Sequence, residues 1–356
     1  MSPQKIFAPA ALLALMGLAP GVQAQSLNLY GVIDLAFGSF QSSYASTADN
    51  PRVTKLDSNP TITSFFGMKG MEDLGGGVKA GFMLESFLRP DTGASARSSA
   101  DVFWARAANV WLETGYGKLT LGRQGSLLFG NTLSYNPLGG GFGLSPAIRL
   151  TFGAFGNDKS DSGFSNAVTY SLPTMGGFKA AVQYQFGEDA TSAEKGTYAL
   201  SASYTSGPFS IGGAWQTVRS AEAPKPNFNA GEKQTFGMLG TSYNAGFAKF
   251  FAQYGEFSNS GFTGAARIDT KLYTLGASVP VTKAGTVMVA YGESMEEAVE
   301  GGTTPDTDHS IFTLAYSHSL SKRTTLYTAY MMDKEDPEGT KFKTGHTYLV
   351  GVRHAF

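Results

Sequence analysis

The residues with the clearest chemical potential are charged side chains at alternating positions of short apolar segments. In an extended strand every second side chain faces the same side of a sheet, so these charges share one water-facing surface. Such a surface attracts or repels ions and polar molecules, which is the chemistry of electrostatic selection. The residues with this placement are Asp34, Lys69, Lys79, Glu85 and Arg353, and an ordinary solvated charge is an equal interpretation of each.

Catalytic chemistry has few candidate residues in this chain. Cysteine is absent, which excludes a cysteine nucleophile, a disulfide and a thiolate metal site. The four histidines lie late in the chain, at positions 309, 318, 346 and 354, and their spacing suggests neither a triad nor a metal site. We therefore expect no catalytic residues, no cofactor and no bound metal.

Residues 1–24 have the layout of a cleavable secretory signal. One cation, Lys5, precedes an apolar run from Ala8 to Ala19, and small residues surround Ala24. A membrane anchor is the alternative, but the run is short for a span of about 20 residues and is interrupted by proline and glycine. We expect cleavage after Ala24 and a mature chain of residues 25–356.

The composition favours a membrane protein over a soluble enzyme. The chain has 45 glycines, and 13% of its residues are aromatic. Charged residues make up 15%, against about 25% in soluble proteins. The 27 Lys and Arg residues are balanced by 28 Asp and Glu residues, so we expect no nucleic-acid partner.

The chain after residue 24 repeats one unit, an alternating segment of about ten residues followed by a connection. The connections alternate between tight turns, such as Asp73–Gly77 and Ser206–Pro208, and long polar loops, such as Gly38–Thr61 and Arg219–Lys233. The number of alternating segments and connections predicts about 16 antiparallel strands in one meander. The third long connection, 126–163, is rich in glycine and in apolar residues, so we expect it to pack against the strands.

Strands of this length match a tilted crossing of a bilayer. A sheet in lipid must satisfy its backbone hydrogen bonds internally and therefore closes on itself. We predict an all-β fold, a 16-stranded transmembrane β-barrel with short periplasmic turns and long external loops. A barrel of this size leaves an aqueous channel.

Four blocks in order resemble the general porins of Gram-negative outer membranes, of the neisserial and burkholderial type. These blocks are LNLYGVIDLAF, FFGMKGMEDLGGGVKAGFMLE, WARAANVWLETGYGKLTLGRQ and YLVGVRHAF. The resemblance implies a homotrimer whose third external loop folds inward to form the constriction. It also implies passive diffusion of small hydrophilic solutes and ions across the outer membrane.

The resemblance assigns one wall arginine of the constriction to Arg106, and Arg123 flanks the inward loop. Two further positions depart from the family pattern, because Phe65 and Gly163 stand where arginine is usual. The loop carries few charges: Arg149 near its middle and the carboxylates Asp158 and Asp161 near its exit, together with Lys159. We therefore expect weak charge selectivity and a pore narrowed more by size than by field.

The resemblance also implies that the last strand, ending at Phe356, is read by the barrel-assembly machinery. Closing the barrel with an apolar outer face explains the same pattern. Outer-membrane lipid and lipopolysaccharide are the expected surroundings. Aromatic residues near strand ends are expected on the outer face, where they meet lipid or, for some of them, another subunit of the trimer; they are Phe37, Phe82, Trp111, Phe186, Trp215, Phe250, Tyr273, Tyr327 and Phe356.

Three alternatives stay open at the level of sequence. A substrate-specific channel with the same barrel differs from a general one only in its constriction. A barrel enzyme of the phospholipase or protease type needs a nucleophile beside a base. An adhesin or secreted structural protein fits the long loops but not the strict alternation of turns and loops.

Overall fold

The computed structural model describes residues 27–45, 52–98, 101–152, 162–187, 196–219, 233–260, 268–298 and 305–356. These residues form a closed antiparallel barrel of sixteen wall strands, and four short strands lie in the long connections. The wall strands are β1 (Asn28–Phe40), β2 (Phe65–Gly75), β3 (Val78–Arg89), β4 (Ala107–Thr114), β5 (Gly117–Gly125), β6 (Gly163–Ser171), β7 (Phe178–Gln185), β8 (Thr197–Ser206), β9 (Phe209–Arg219), β10 (Lys233–Asn244), β11 (Lys249–Ser260), β12 (Ile268–Pro280), β13 (Gly285–Ala298), β14 (Thr307–Ser319), β15 (Thr324–Pro337) and β16 (Gly345–Ala355). The short strands are Tyr44–Ala45, Val53–Ser58, Ala94–Ser95 and Phe342–Lys343.

The first wall strand closes the barrel. Its early residues pair with β2, and its residues from Val32 to Ser39 pair with β16. The amide of Phe356 donates to the carbonyl of Gly31 at 3.1 Å, and the amide of Gly31 donates back at 3.2 Å. Closure pairs the edge strands, which lipid would otherwise leave with unpaired backbone groups.

The predicted fold class is confirmed, including the strand count and the alternation of turns and loops. One strand begins later than the sequence suggested. The alternating pattern predicted a strand over 101–113, whereas β4 starts at Ala107 after a bend. The predicted signal, residues 1–24, lies outside the described residues.

The third long connection contains two short helices, α1 (Leu127–Ser134) and α2 (Pro146–Phe152). Ser126 caps α1, since its hydroxyl accepts a hydrogen bond from the Phe129 amide at 3.1 Å. We refer to residues 126–152 as the inward loop. No helix in the described part of the chain is long and apolar enough to cross a membrane.

The two faces of the wall differ in polarity. Apolar side chains that are more than half exposed cover the outer face, as at Leu29, Val182, Leu239, Leu275 and Val350. The inner face carries the residues that contact the inward loop. This arrangement is the one that lipid outside and water inside require.

Two of the aromatic residues expected to face lipid lie on the inner face instead. Trp111 pairs with Gly81 and Thr120, and the Lys118 ammonium lies 4.1 Å from its ring centroid. The bend before Ala107 shifts the alternation of β4 by one residue, which explains this error. Tyr327 also points inward, because its hydroxyl donates to the buried carboxylate of Asp34 at 2.5 Å.

Candidate pore constriction

The inward loop packs on one row of inner-wall residues that runs across seven consecutive strands. Each member pairs with the next across the ladder. The row, which we call the docking row, consists of Gly212, Gly240, Gln253, Thr274, Gly292, Ile311 and Asp333. Because the strands of a barrel are tilted, this row climbs obliquely around the inner wall, from Gly212 near the turn end of β9 to Asp333 near the loop end of β15, and the inward loop packs along it.

Glycine makes this close approach possible. A Cβ at Gly240 would lie 2.6 Å from Cγ of Tyr135, and one at Gly292 would lie 2.9 Å from Leu150. Tyr135 lies at the end of α1, and Leu150 belongs to α2. Any larger wall residue would push the corresponding helix into the lumen.

Polar wall side chains bind the backbone of the same loop. The Gln253 amide donates to the carbonyl of Tyr135 at 3.0 Å, and the Thr313 hydroxyl donates to the carbonyl of Leu144 at 2.7 Å. Gln183 holds the start of the loop, since its amide donates to the Gly125 carbonyl at 3.1 Å. The bonds to Tyr135 and Leu144 give these buried loop carbonyls hydrogen-bond partners on the wall.

An ion pair fixes α2 to the wall. Nη2 of Arg149 lies 2.9 Å from Oδ2 of Asp333, whose side chain is 3% exposed. Nη1 of Arg149 also donates to the carbonyl of Phe142 at 3.3 Å. Arg149 was expected to line the constriction, and the structure gives its guanidinium an anchoring contact with β15.

His309 completes this cluster from the neighbouring strand. Its Nε2 lies 2.7 Å from Oδ1 of Asp333, and its Nδ1 lies 3.8 Å from Oε1 of Glu335. These three residues offer atoms that a metal can bind. One such atom from each residue lies within 4.8 Å of the others, and the two oxygens of Asp333 are already paired with Arg149 and His309.

The neck of the loop is held by two arginines from the opposite side. Nη1 of Arg123 donates to the Ser165 hydroxyl at 2.8 Å, and its Nε donates to the carbonyl of Ala105. Nη1 of Arg97 donates to the Ser162 hydroxyl at 3.2 Å. A Cβ at Gly163 would lie 3.6 Å from Nη2 of Arg123, so this arginine approaches the position where the family usually has its own.

Arg97 also forms a bidentate pair with a loop carboxylate. Its Nη2 and Nε donate to the two oxygens of Asp101 at 2.7 and 2.8 Å. Burial raises the pKa of the Asp101 carboxyl, but hydrogen bonds and charge from Arg97 outweigh burial and hold that pKa below its ordinary value. This pair was not among the residues predicted from the sequence.

The charged patch of the lumen centres on Arg106 and Glu85, which lie on the wall of β2–β5. Nε of Arg106 lies 3.0 Å from Oε2 of Glu85, and the Tyr30 hydroxyl donates to Oε1 at 2.7 Å. The guanidinium of Arg106 stacks 4.0 Å from the ring centroid of Phe65. Phe65 therefore replaces the expected arginine with a surface on which Arg106 rests.

The other sequence candidates have different surroundings. Lys69, Lys79 and Arg353 share the inner face and are exposed or half-buried, as expected of solvated lumen charges. Asp34 is fully buried and differs from that expectation, because backbone and side-chain donors surround it. Asp158 and Asp161 lie outside the described residues.

Replacing Gly240 with valine is expected to displace α1 from the wall and to reduce single-channel conductance. The new side chain would occupy the place of the Tyr135 ring, and overpacking of this kind costs about 1–3 kcal/mol. Conductance steps in a planar bilayer measure the effect. Gly213→Val is the matched control, because Gly213 lies on the outer face and a Cβ there would have no neighbouring atom closer than 3.3 Å. Equal conductance of the two variants would contradict the packing role of Gly240.

A closed barrel of sixteen strands with a loop folded inside it defines the class of membrane channels formed by β-barrels. The chain belongs to the Gram-negative porin family, whose model matches residues 10–338. It is similar to the outer membrane porin protein 32 of Delftia acidovorans, at 30% identity covering 97% of this chain and 98% of that protein. An outer membrane porin protein of Bordetella pertussis is 26% identical, over 99% of this chain and the whole of that protein. Among solved structures, an anion-selective porin from Comamonas acidovorans superimposes with a TM-score of 0.76 at 26% identity, covering 94% of this chain and 100% of that one.

Family membership confirms the resemblance drawn from the sequence. The protein is an outer-membrane channel of a Gram-negative bacterium, and small hydrophilic solutes and ions pass through it by passive diffusion. Its family and its relatives are channels.

Proposed function

We propose that this channel is weakly charge-selective and that the ion pair of Arg106 and Glu85 sets the balance. The observation that carries the proposal is the 3.0 Å separation of Nε of Arg106 from Oε2 of Glu85. An ion in the lumen meets a neutral pair instead of an isolated cation. The single charge on the described part of the inward loop, Arg149, is paired with Asp333, so that side adds little field.

Size is the second element of the proposal. The apolar side chains of the inward loop pack into the wall and leave its backbone and small residues to narrow the lumen. The residues we assign to the constriction are Arg106, Glu85 and the inward loop, with Lys69, Lys79 and Arg353 as lumen charges. No catalytic step is part of this function, because selection by width and charge needs none.

Removing either partner of the pair is expected to shift ion selectivity in opposite directions. Glu85→Gln favours chloride and Arg106→Gln favours potassium, each changing the ratio of the two permeabilities by about sevenfold, since a unit charge about 7 Å away in water contributes about 0.6 kcal/mol with opposite signs for the two ions. The reversal potential in a potassium chloride gradient measures this ratio. Lys322→Gln, in a periplasmic turn, is the control with one charge removed and no expected shift.

Two results would contradict the proposal. Strong selectivity of the unmodified channel would rule out the neutral pair as the determinant. Equal reversal potentials for both variants and the unmodified channel would show that the pair does not govern selectivity. The absence of stepwise conductance would instead challenge the assignment as a channel.

The same proposal includes assembly as a homotrimer after export and cleavage at Ala24. Insertion by the barrel-assembly machinery is supported by the outward position of Phe356, which is 42% exposed beside Gly31. Cross-linking of the protein in intact cells tests the trimer, and N-terminal sequencing of the purified protein tests the cleavage site.

A further inference from the structure

The outer face of the barrel has an apolar groove of about 640 Å³ where β13–β16 meet β1. Two ladder rows of outward side chains line it, and ladder pairing places the members of each row side by side. The upper row contains Leu314, Tyr330, Tyr348 and Ser39. The lower row contains Val287, Tyr316, Thr328, Val350 and Phe37.

The groove exists because small residues alternate with aromatic ones. Ser39 follows Tyr348 in the upper row, and Thr328 lies between Tyr316 and Val350 in the lower row. Tyr348 is 52% exposed and Val350 is 56% exposed, so the rings and branched side chains form the open walls of the groove. A furrow of this shape and polarity fits a hydrocarbon chain.

A cation stands at the external end of the groove. Arg52 belongs to the first long loop and lies next to Tyr348, with its guanidinium carbon 5.4 Å from the ring centroid. Its Nη1 donates to the carbonyl of His346 at 2.8 Å and to the Ser39 hydroxyl at 3.3 Å. Its Nη2 donates to Oε1 of Gln41 at 3.3 Å.

These contacts hold the guanidinium in place without neutralising it. The three partners of Arg52 named above are uncharged oxygens, and Arg52 itself is exposed to solvent. Tyr330 and Tyr348 belong to the upper row beside Arg52, and tyrosine is enriched at membrane–water interfaces. The cation therefore lies beside the loop end of a groove of acyl-chain polarity.

We propose that this groove and Arg52 form a binding site for one lipopolysaccharide molecule of the outer leaflet. An acyl chain of its lipid A lies in the groove, and a lipid A phosphate binds the guanidinium of Arg52. Arginine suits this ligand, because its fork of donors matches phosphate oxygens. A second copy of the chain is the other candidate occupant, but it would have to bring an anion to Arg52 and a narrow apolar element to the groove together.

Lipid binding by the purified, delipidated protein tests the site. The probe is bisphosphorylated lipid A in detergent micelles, and native mass spectrometry counts the molecules bound to each protomer. Arg52→Gln is expected to weaken binding about tenfold, the effect of losing one charge-assisted contact of about 1.4 kcal/mol. Thr328→Trp, which fills the groove, is expected to abolish the saturable binding.

Matched controls separate this site from general effects of charge and bulk. Arg323→Gln removes an arginine at the periplasmic end, and Val182→Trp adds a ring to the opposite outer wall; both are expected to bind lipid A normally. Lipid A without its phosphates is expected to bind as weakly to the unmodified protein as the intact lipid binds to Arg52→Gln.

Three outcomes would overturn the proposal. The first is equal binding by Arg52→Gln and the unmodified protein, and the second is equal binding of lipid A with and without phosphate. The third is dissociation of the oligomer in Thr328→Trp with unchanged lipid binding per chain, which would assign the groove to a subunit contact.

Discussion

Replacing Arg149 with methionine is expected to loosen the inward loop and to make the open channel wider and noisier. The substitution leaves the carboxylate of Asp333, which is 3% exposed, with His309 but without its arginine. Removing one partner of a buried ion pair destabilises a protein by about 3–5 kcal/mol. Single-channel conductance and its open-state noise report the position and the mobility of the inward loop. The guanidinium chloride concentration at the midpoint of unfolding in detergent reports the stability of the barrel.

The double variant Arg149→Met with Asp333→Asn provides the control. It removes both charges, so stability should recover part of the loss while the loop stays unanchored and the channel stays noisy. Arg323→Met, an exposed turn residue, should change neither quantity. If Arg149→Met has the same conductance and open-state noise as the unmodified protein, packing alone holds the loop.

Replacing Asp34 with alanine is expected to cause the largest loss of stability in the wall itself. The buried carboxylate accepts hydrogen bonds from the amides of Thr61 and Ile62 at 2.8 and 2.9 Å. It also accepts from the hydroxyls of Thr61 and Tyr327 at 2.7 and 2.5 Å. Alanine leaves these donors without an acceptor, and buried donors in that state cost about 1–3 kcal/mol each.

A graded series makes this prediction specific. Tyr327→Phe removes one donor and keeps the carboxylate, so it should cost about 1.5–3 kcal/mol, clearly less than Asp34→Ala. The temperature at which the folded band disappears on a gel ranks the variants. Equal losses of stability in Tyr327→Phe and Asp34→Ala would mean that the contact with Tyr327, and not the hydrogen bonds to residues 61–62, accounts for the role of Asp34.

The strands were predictable because their signals are local. Alternation of polarity and turn-forming residues are each read within about ten residues, and both hold across the described wall except at the bend before β4. The same local reasoning was wrong where the backbone bends. The bend before Ala107 turned Trp111 inward, and no residue type at that position announces it.

The candidate site was less predictable because its contacts join distant parts of the chain. Arg149 and Asp333 are 184 residues apart, and Asp34 and Tyr327 are 293 apart. Their meeting depends on the register of every intervening strand, which the sequence specifies only collectively. The sequence therefore identified Arg149 and Asp34 as charges near the lumen but not their partners.

The docking row and the Arg106–Glu85 pair lie on different strands of the barrel. The docking row lies on β9–β15, and Gln183 of β7 holds the start of the loop, whereas the pair of Arg106 and Glu85 lies on the wall of β2–β5. Substitutions in well-separated regions act almost independently. On the proposed function, substitutions of the Arg106–Glu85 pair are therefore expected to change the charge preference while the docking row keeps the inward loop in place.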